Sequence, residues 1–174
     1  MELYIIEKFK ERYPELKGRE LTDELIKDCL KEYGVQNPQV RRTPKGKPYA
    51  ELCMPPEAEP SQSEEVYLSV SHSGEYFLCI VAGLPVGIDV QERKGSNAAK
   101  IADRYFSDRE KEYVDEHGEN GFFTVWTRKE AYSKLTGEGL AEIIRGTEVL
   151  DREDVEFTDF QLEDGVWCSY CIAR

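Results

Sequence analysis

Apolar and polar positions along the chain change period several times, and each change marks an element. From Leu21 to Tyr33 the residues Leu21, Leu25, Ile26, Cys29, Leu30 and Tyr33 recur at helical spacing. Thr22 and Asp23 near its start and Gly34 just after its end supply cap signals. The stretch from Pro55-Pro56 to Glu65 is rich in Pro, Ser and Glu and reads as a surface loop. Val66, Leu68 and Val70 then alternate with Tyr67, Ser69 and Ser71, and Tyr76 to Ala82 is an unbroken apolar run. This predicts two strands joined by a turn at Ser71-His72-Ser73-Gly74. Gly83-Leu84-Pro85 turns the chain again, and Val86 to Val90 forms a third strand.

Beyond that point Ala98 to Phe106 and Asp108 to Glu116 read as helices, with Ser107 or Asp108 as a cap. Phe122 to Leu135 is a longer helix with Phe122, Trp126 and Leu135 on its apolar side. Val155 to Leu162 and Val166 to Ile172 form a closing strand pair. Hairpin-length links outnumber crossover links, so the fold class is α+β with antiparallel strands. A boundary near Gly83 to Pro85 divides the chain into residues 1–84 and 85–174.

Composition narrows the function. With 174 residues, 40% of them hydrophobic, the chain suffices for one compact domain or two small packed halves. No apolar stretch is long enough to span a bilayer, and the N-terminus lacks signal-peptide architecture, so no membrane association is expected. Five cysteines cannot all pair within the chain, and reduced thiols in a cytoplasmic protein are the simpler expectation. A net charge of -12 argues against nucleic acid as a partner. It leaves room for a small polyanion, because the basic residues are clumped at Arg41, Arg42, Lys45 and Lys47, at Arg93 and Lys94, and at Arg128, Lys129 and Lys134. Each clump read singly is also compatible with a solvated face.

Four segments carry candidate chemistry. In Gly87-Ile88-Asp89-Val90-Gln91, strand alternation puts Val86, Ile88 and Val90 on one face and Gly87, Asp89 and Gln91 on the other. A carboxylate and an amide oxygen two residues apart can converge on a hard cation, and Gly87 leaves room for a ligand beside them. A strand with a polar outer face explains the same residues. In Trp126-Thr127-Arg128-Lys129-Glu130-Ala131-Tyr132-Ser133-Lys134, Glu130 and Lys134 sit one helical turn apart, an ordinary stabilising pair. The glycine-rich Gly137-Glu138-Gly139-Leu140 that follows can let a phosphate chain approach backbone. The Ser71-His72-Ser73-Gly74 segment groups hydroxyls and an imidazole, and Lys45-Gly46-Lys47-Pro48 is a basic turn. Cys168 and Cys171 are three apart in a strand, face opposite ways and have no second pair, so they belong to core packing.

Together these segments resemble one family, the 4'-phosphopantetheinyl transferases of the surfactin-synthetase type. The resemblance rests on Gly-Lys-Pro at Gly46 to Pro48, Val-Ser-His-Ser-Gly at Val70 to Gly74, Gly-Ile-Asp-Val at Gly87 to Val90, and Trp-x-x-Lys-Glu-Ala-x-x-Lys from Trp126 to Lys134. Phe106-Ser107-x-x-Glu110 stands between the last two, as in the family's order. The resemblance implies a pseudo-twofold pair of similar α+β halves with the active site between them, in a chain that works as a monomer. It implies coenzyme A as donor, magnesium as cofactor, and an acyl or peptidyl carrier protein as acceptor. Asp89 and Glu130, with Gln91, would then hold the metal, and Lys134 would neutralise the pyrophosphate. Lys47, Ser71 and His72 would grip the 3'-phosphate end of coenzyme A. Glu130 is the first candidate for the base that takes the carrier serine's proton, and Glu110 the second.

Two departures stand out. The second acid of the family's strand motif is Gln91 here, and the leading strand and basic loop before the first helix are reduced or missing. Arg19, Arg41 and Arg42 are the candidate substitutes for that loop's contacts. A noncatalytic coenzyme A or carrier-binding relative, and a magnesium-dependent nucleotide hydrolase, remain as alternative readings.

Overall fold

The computed structural model describes residues 1–51, 65–93 and 98–174; the expected loop from Pro55 lies outside them except for its last residue. Its elements, in chain order, are β1 (Glu2–Ile6), α1 (Phe9–Arg12), α2 (Gly18–Glu32), β2 (Gln39–Arg42), β3 (Pro48–Glu51), β4 (Tyr67–Ser73), β5 (Tyr76–Ala82), β6 (Val86–Glu92), α3 (Ala98–Tyr105), α4 (Asp108–Thr136), α5 (Leu140–Gly146), β7 (Val155–Glu163) and β8 (Val166–Ala173). This mixture of helices and antiparallel sheets is the expected α+β class.

Two three-stranded sheets form the centre, in the orders β1-β5-β4 and β6-β8-β7, and β2-β3 is a separate hairpin. Alternation explains how they stack. Phe77, Cys79 and Val81 of β5 and Leu68 of β4 meet Leu21, Leu25, Ile26 and Leu30 of α2. The other face of β5, with Leu78 and Ile80, packs on Val86, Ile88 and Val90 of β6. The far face of the second sheet meets α4, where Phe123 stacks on Trp167 with ring centroids 4.0 Å apart. Cys168 and Cys171 are buried in different clusters, as their opposite faces require.

Several expectations are corrected. A leading strand is present: β1 pairs with β5 from Glu2↔Val81 to Ile6↔Phe77. Helix α2 begins at Gly18, and Lys17, not Thr22 or Asp23, occupies its cap without a side-chain hydrogen bond. Ser71-His72-Ser73 is no turn but the end of β4, with Ser73 paired to Tyr76. Gly87 leaves no room for a ligand: a Cβ there would lie 1.9 Å from the backbone oxygen of Ala131, so its missing side chain seats α4 on β6.

Helix α4 is two helices in one. Gly118 has φ 60° and ψ -135°, a conformation open to glycine, and the expected helices at Asp108 and Phe122 are its two legs. The first leg carries a capping box, in which Ser107 and Glu110 exchange side-chain to backbone hydrogen bonds.

Candidate active site

β4 and β6 lie side by side without a backbone ladder, and serine hydroxyls join them. Ser69 Oγ accepts from the backbone N–H of Ile88 at 3.1 Å, and Ser73 Oγ accepts from that of Glu92 at 3.1 Å. Ser71, between them, donates its hydroxyl to Oδ1 of Asp89 at 2.7 Å. The three serines share one face because the strand period is two. That same period sends His72 to the opposite face, so Ser71 and His72 do not converge on one group.

Asp89 is the centre of the site. It is buried, and Lys134 Nζ lies 2.7 Å from Oδ1, 2.8 Å from Ser71 Oγ and 2.9 Å from the carbonyl of Ile88. Its other oxygen, Oδ2, is buried and has no hydrogen-bond partner among the described residues. An acceptor left in that state is destabilising unless something outside the chain meets it. Glu130, one turn before Lys134, is the next carboxylate. Burial and the negative charge of Asp89 push its pKa up to about 7, against the opposing pull of Lys134. Among the described residues no cluster of three or more His, Cys, Asp or Glu side chains forms a metal cage. Two carboxylates with an orphaned oxygen fit magnesium nonetheless, because that ion commonly takes one or two carboxylates and completes its shell with water and substrate phosphates. Gln91, half-buried on the same strand face, donates its amide N–H to the carbonyl of Glu92 at 3.3 Å.

Beside this cluster is a cavity of about 280 Å³, lined by Lys47, Ser69, Lys134 and Gly139 among others. Lys47 Nζ donates to the carbonyl of Leu135 at 3.1 Å and Lys45 Nζ to that of Glu138 at 3.1 Å. Both cations thus cap the carboxyl end of α4, and burial lowers the pKa of Lys47. Arg42 is directed elsewhere: it pairs with Asp23 and donates to Thr22 Oγ1 at 3.2 Å and to the carbonyl of Gly46 at 3.1 Å. It ties the basic turn to α2. His72 is exposed, with its ring 5.7 Å from that of Phe9, and lines a second, mostly apolar cavity of about 380 Å³ with Lys10 and Lys17.

Glu110 is bound up in a different group. Its carboxylate accepts from the backbone N–H of Ser107 at 2.9 Å and of Val149 at 3.1 Å, and pairs with Lys129 at 2.9 Å. Lys129 is therefore a core residue, set apart from Lys134 of the same basic clump. The part of Ser69 and Ser73 in joining the two strands is not an expectation of the sequence, and the one signal for it is three serines at alternate positions.

A family model described as the 4'-phosphopantetheinyl transferase superfamily matches residues 85–171. The chain is 30% identical over 139 residues to the 4'-phosphopantetheinyl transferase gsp of Aneurinibacillus migulanus, covering 74% of this chain and 53% of that protein. It is 41% identical over 86 residues to 4'-phosphopantetheinyl transferase psf-1 of Bacillus pumilus, covering 46% and 36%. With 4'-phosphopantetheinyl transferase Sfp of Bacillus subtilis strain 168 it shares 29% identity over 99 residues, covering 53% and 40%. The chain thus spans about half or less of the length of these curated relatives.

Proposed function

The chain belongs to the 4'-phosphopantetheinyl transferase superfamily, and from that premise we propose that it moves the phosphopantetheine arm of coenzyme A onto a serine of an apo carrier protein. The observation that carries the proposal is the buried, unpartnered Oδ2 of Asp89 with Glu130 and Lys134 around it. In this reading Asp89 and Glu130 would hold magnesium, with Gln91 as the third residue of the set. A bound magnesium ion would supply positive charge to the pyrophosphate oxygens.

The chain's own groups do the rest. Lys134 turns from Asp89 to the pyrophosphate and stabilises charge on the leaving side. The serine hydroxyl attacks the phosphorus that bears pantetheine, the P–O bond to the nucleotide half breaks, and 3',5'-ADP departs. Glu130 accepts the serine proton in this reading. Ser71 orients Asp89 and Lys134 together. Lys47 faces the nucleotide in the cavity it shares with Lys134. His72 faces the 3'-phosphate, with Lys10 and Lys17 in the same cavity as the replacements for the family's basic loop. Arg42 acts at one remove by holding the basic turn in place.

The halves 1–84 and 85–174 belong to the same proposal. Each three-stranded sheet has its first strand, then its third, then its second in spatial order, which supports a pseudo-twofold relation. Ser71 from one half bonding to Asp89 from the other supports a site between them, built by a monomer. No helix among the described residues is long and apolar enough to cross a membrane, and a cytoplasmic location goes with the proposal.

The test is to incubate the protein with coenzyme A, magnesium and an apo carrier, then weigh the carrier. A gain of one phosphopantetheine is the expected result. Hydrolysis of coenzyme A without a gain would make the protein a hydrolase, and neither change would make it a binding module.

A further inference from the structure

We infer that Glu110 and Lys129 are a positioning pair: they fix the rotation of the second leg of α4 and so aim Glu130 at Asp89, and Glu110 transfers no proton itself. The inference rests on the role proposed for Glu130.

It starts from a distance. On a straight helix, with about 1.5 Å of rise per residue, Glu110 and Lys129 would stand roughly 28 Å apart. They are 2.9 Å apart, because the chain folds back at Gly118 and lays the second leg against the first. Both side chains are closed off from water, at 0% and 1% exposure. Lys129 Nζ also donates to the carbonyl of Thr147 at 2.5 Å and lies 5.7 Å from the ring centroid of Phe106. One ion pair therefore joins the start of the first leg, the second leg and the segment after α5.

Such a pair is a poor device for stability alone. Removing two charges from water costs several kcal/mol per ion, and apolar residues of equal volume often serve as well. What it supplies is direction. Glu110 has its donors at fixed places, in the backbone of Ser107 and Val149, so its carboxylate is held in one orientation. Lys129 must meet it there. Successive residues on a helix are turned by about 100°, so placing Lys129 places Glu130. Other contacts hold the same leg: Arg128 pairs with Asp159 of β7, and Tyr132 donates its hydroxyl to Asp154 at 3.0 Å. Thr127 Oγ1 lies 2.6 Å from Ser169 Oγ and sets its height on β8, while Gly87 under Ala131 sets its distance from β6.

The same surroundings speak against proton transfer by Glu110. Its oxygens accept from two backbone N–H groups and an ammonium, and its side chain is fully buried, so a carrier serine cannot reach it.

The test compares the full chain with the double variant Glu110→Gln/Lys129→Met, which removes both charges together and leaves no lone buried ion. Two readings are taken: transfer kinetics with coenzyme A, magnesium and apo carrier, and Mn²⁺ binding by electron paramagnetic resonance without coenzyme A or carrier. A positioning pair predicts at least a tenfold loss in kcat, a KM for coenzyme A within about threefold of wild type, and Mn²⁺ affinity weakened at least tenfold. Wild-type kcat and Mn²⁺ affinity would overturn the inference and leave the pair a purely structural contact. A large loss of kcat with Mn²⁺ affinity intact would overturn it in favour of Glu110 as the base. If the double variant does not fold, Glu110→Asp decides by the same two readings, since it keeps the charge and shortens the arm. Absence of transfer by wild type would refute the transferase reading, and the Mn²⁺ arm would still judge the pair.

Discussion

Lys134 Nζ and Asp89 Oδ1 stand 2.7 Å apart, while Oδ2 of the same buried carboxylate has no hydrogen-bond partner among the described residues. The lysine thus occupies half of Asp89 and leaves the other half to the cation proposed above. Asp89→Asn keeps the shape and the acceptor for Ser71 but removes the charge. We expect the magnesium concentration for half-maximal transfer to rise at least tenfold, and kcat at saturation to fall roughly 10²- to 10³-fold. Magnesium titration of carrier modification measures both; unchanged curves would remove Asp89 from the metal.

Glu130 links the site to pH. Its folded pKa, about 7, lies above the ordinary 4.5, so the folded protein holds a proton there that the unfolded chain has released. The stabilisation is complete below about pH 4.5 and is lost as pH rises to about 7. Glu130→Gln escapes this loss. In metal-free buffer the variant should gain on wild type by up to about 3 kcal/mol between about pH 4.5 and 8, as read by denaturant unfolding. A constant difference across that range would mean that Glu130 is not perturbed.

The serine seam predicts a ranking. Ser69→Ala strands the N–H of Ile88, which is fully buried, and should cost about 1–3 kcal/mol. Ser73→Ala exposes the N–H of the half-buried Glu92, where water can take over, and should cost less. Urea midpoints of the two variants give the order directly.

Gly87→Ala places a methyl group on the backbone of Ala131, which has no side-chain freedom to move aside. The second leg of α4 must shift, carrying Glu130 and Lys134 with it. Loss of about 1–3 kcal/mol in stability is expected together with most of the transfer activity. A stable, fully active variant would show that the leg tolerates displacement.

His72→Ala should raise the apparent KM for coenzyme A and raise it much less for 3'-dephospho-coenzyme A. Equal effects on both substrates would assign His72 some other partner.

Much of this arrangement could be read from the residues. The alternation of Val86 to Gln91 put Asp89 on the correct face, and the turn-by-turn spacing of α4 put Glu130 beside Lys134. What misled was composition. Ser71, His72, Ser73 and Gly74 are turn-favouring types, yet pairing with Tyr76 to Leu78 holds the first three extended, and the period of two in Ser69, Ser71 and Ser73 was the better guide. Gly87 has a different role again: a strand glycine marks close approach, and the sequence does not say whether a ligand or a helix approaches. Strands β2 and β3 have four residues each and only one buried position between them, so they carry little apolar pattern to detect.

The fold-back at Gly118 also has a bearing on the order of assembly. The two legs of α4 are adjacent in sequence, so closing them requires only a short loop and little loss of chain entropy. Strand β6, by contrast, pairs with β8, with Val86 opposite Ile172 across almost the entire second half of the chain. Contacts so unequal in span form at unequal rates. Glu130 and Lys134 therefore ride on a unit built from local contacts, whereas Asp89 sits on a strand whose ladder partner is distant in sequence. A chain in which only the local contacts had formed would display a helical hairpin with nothing opposite it.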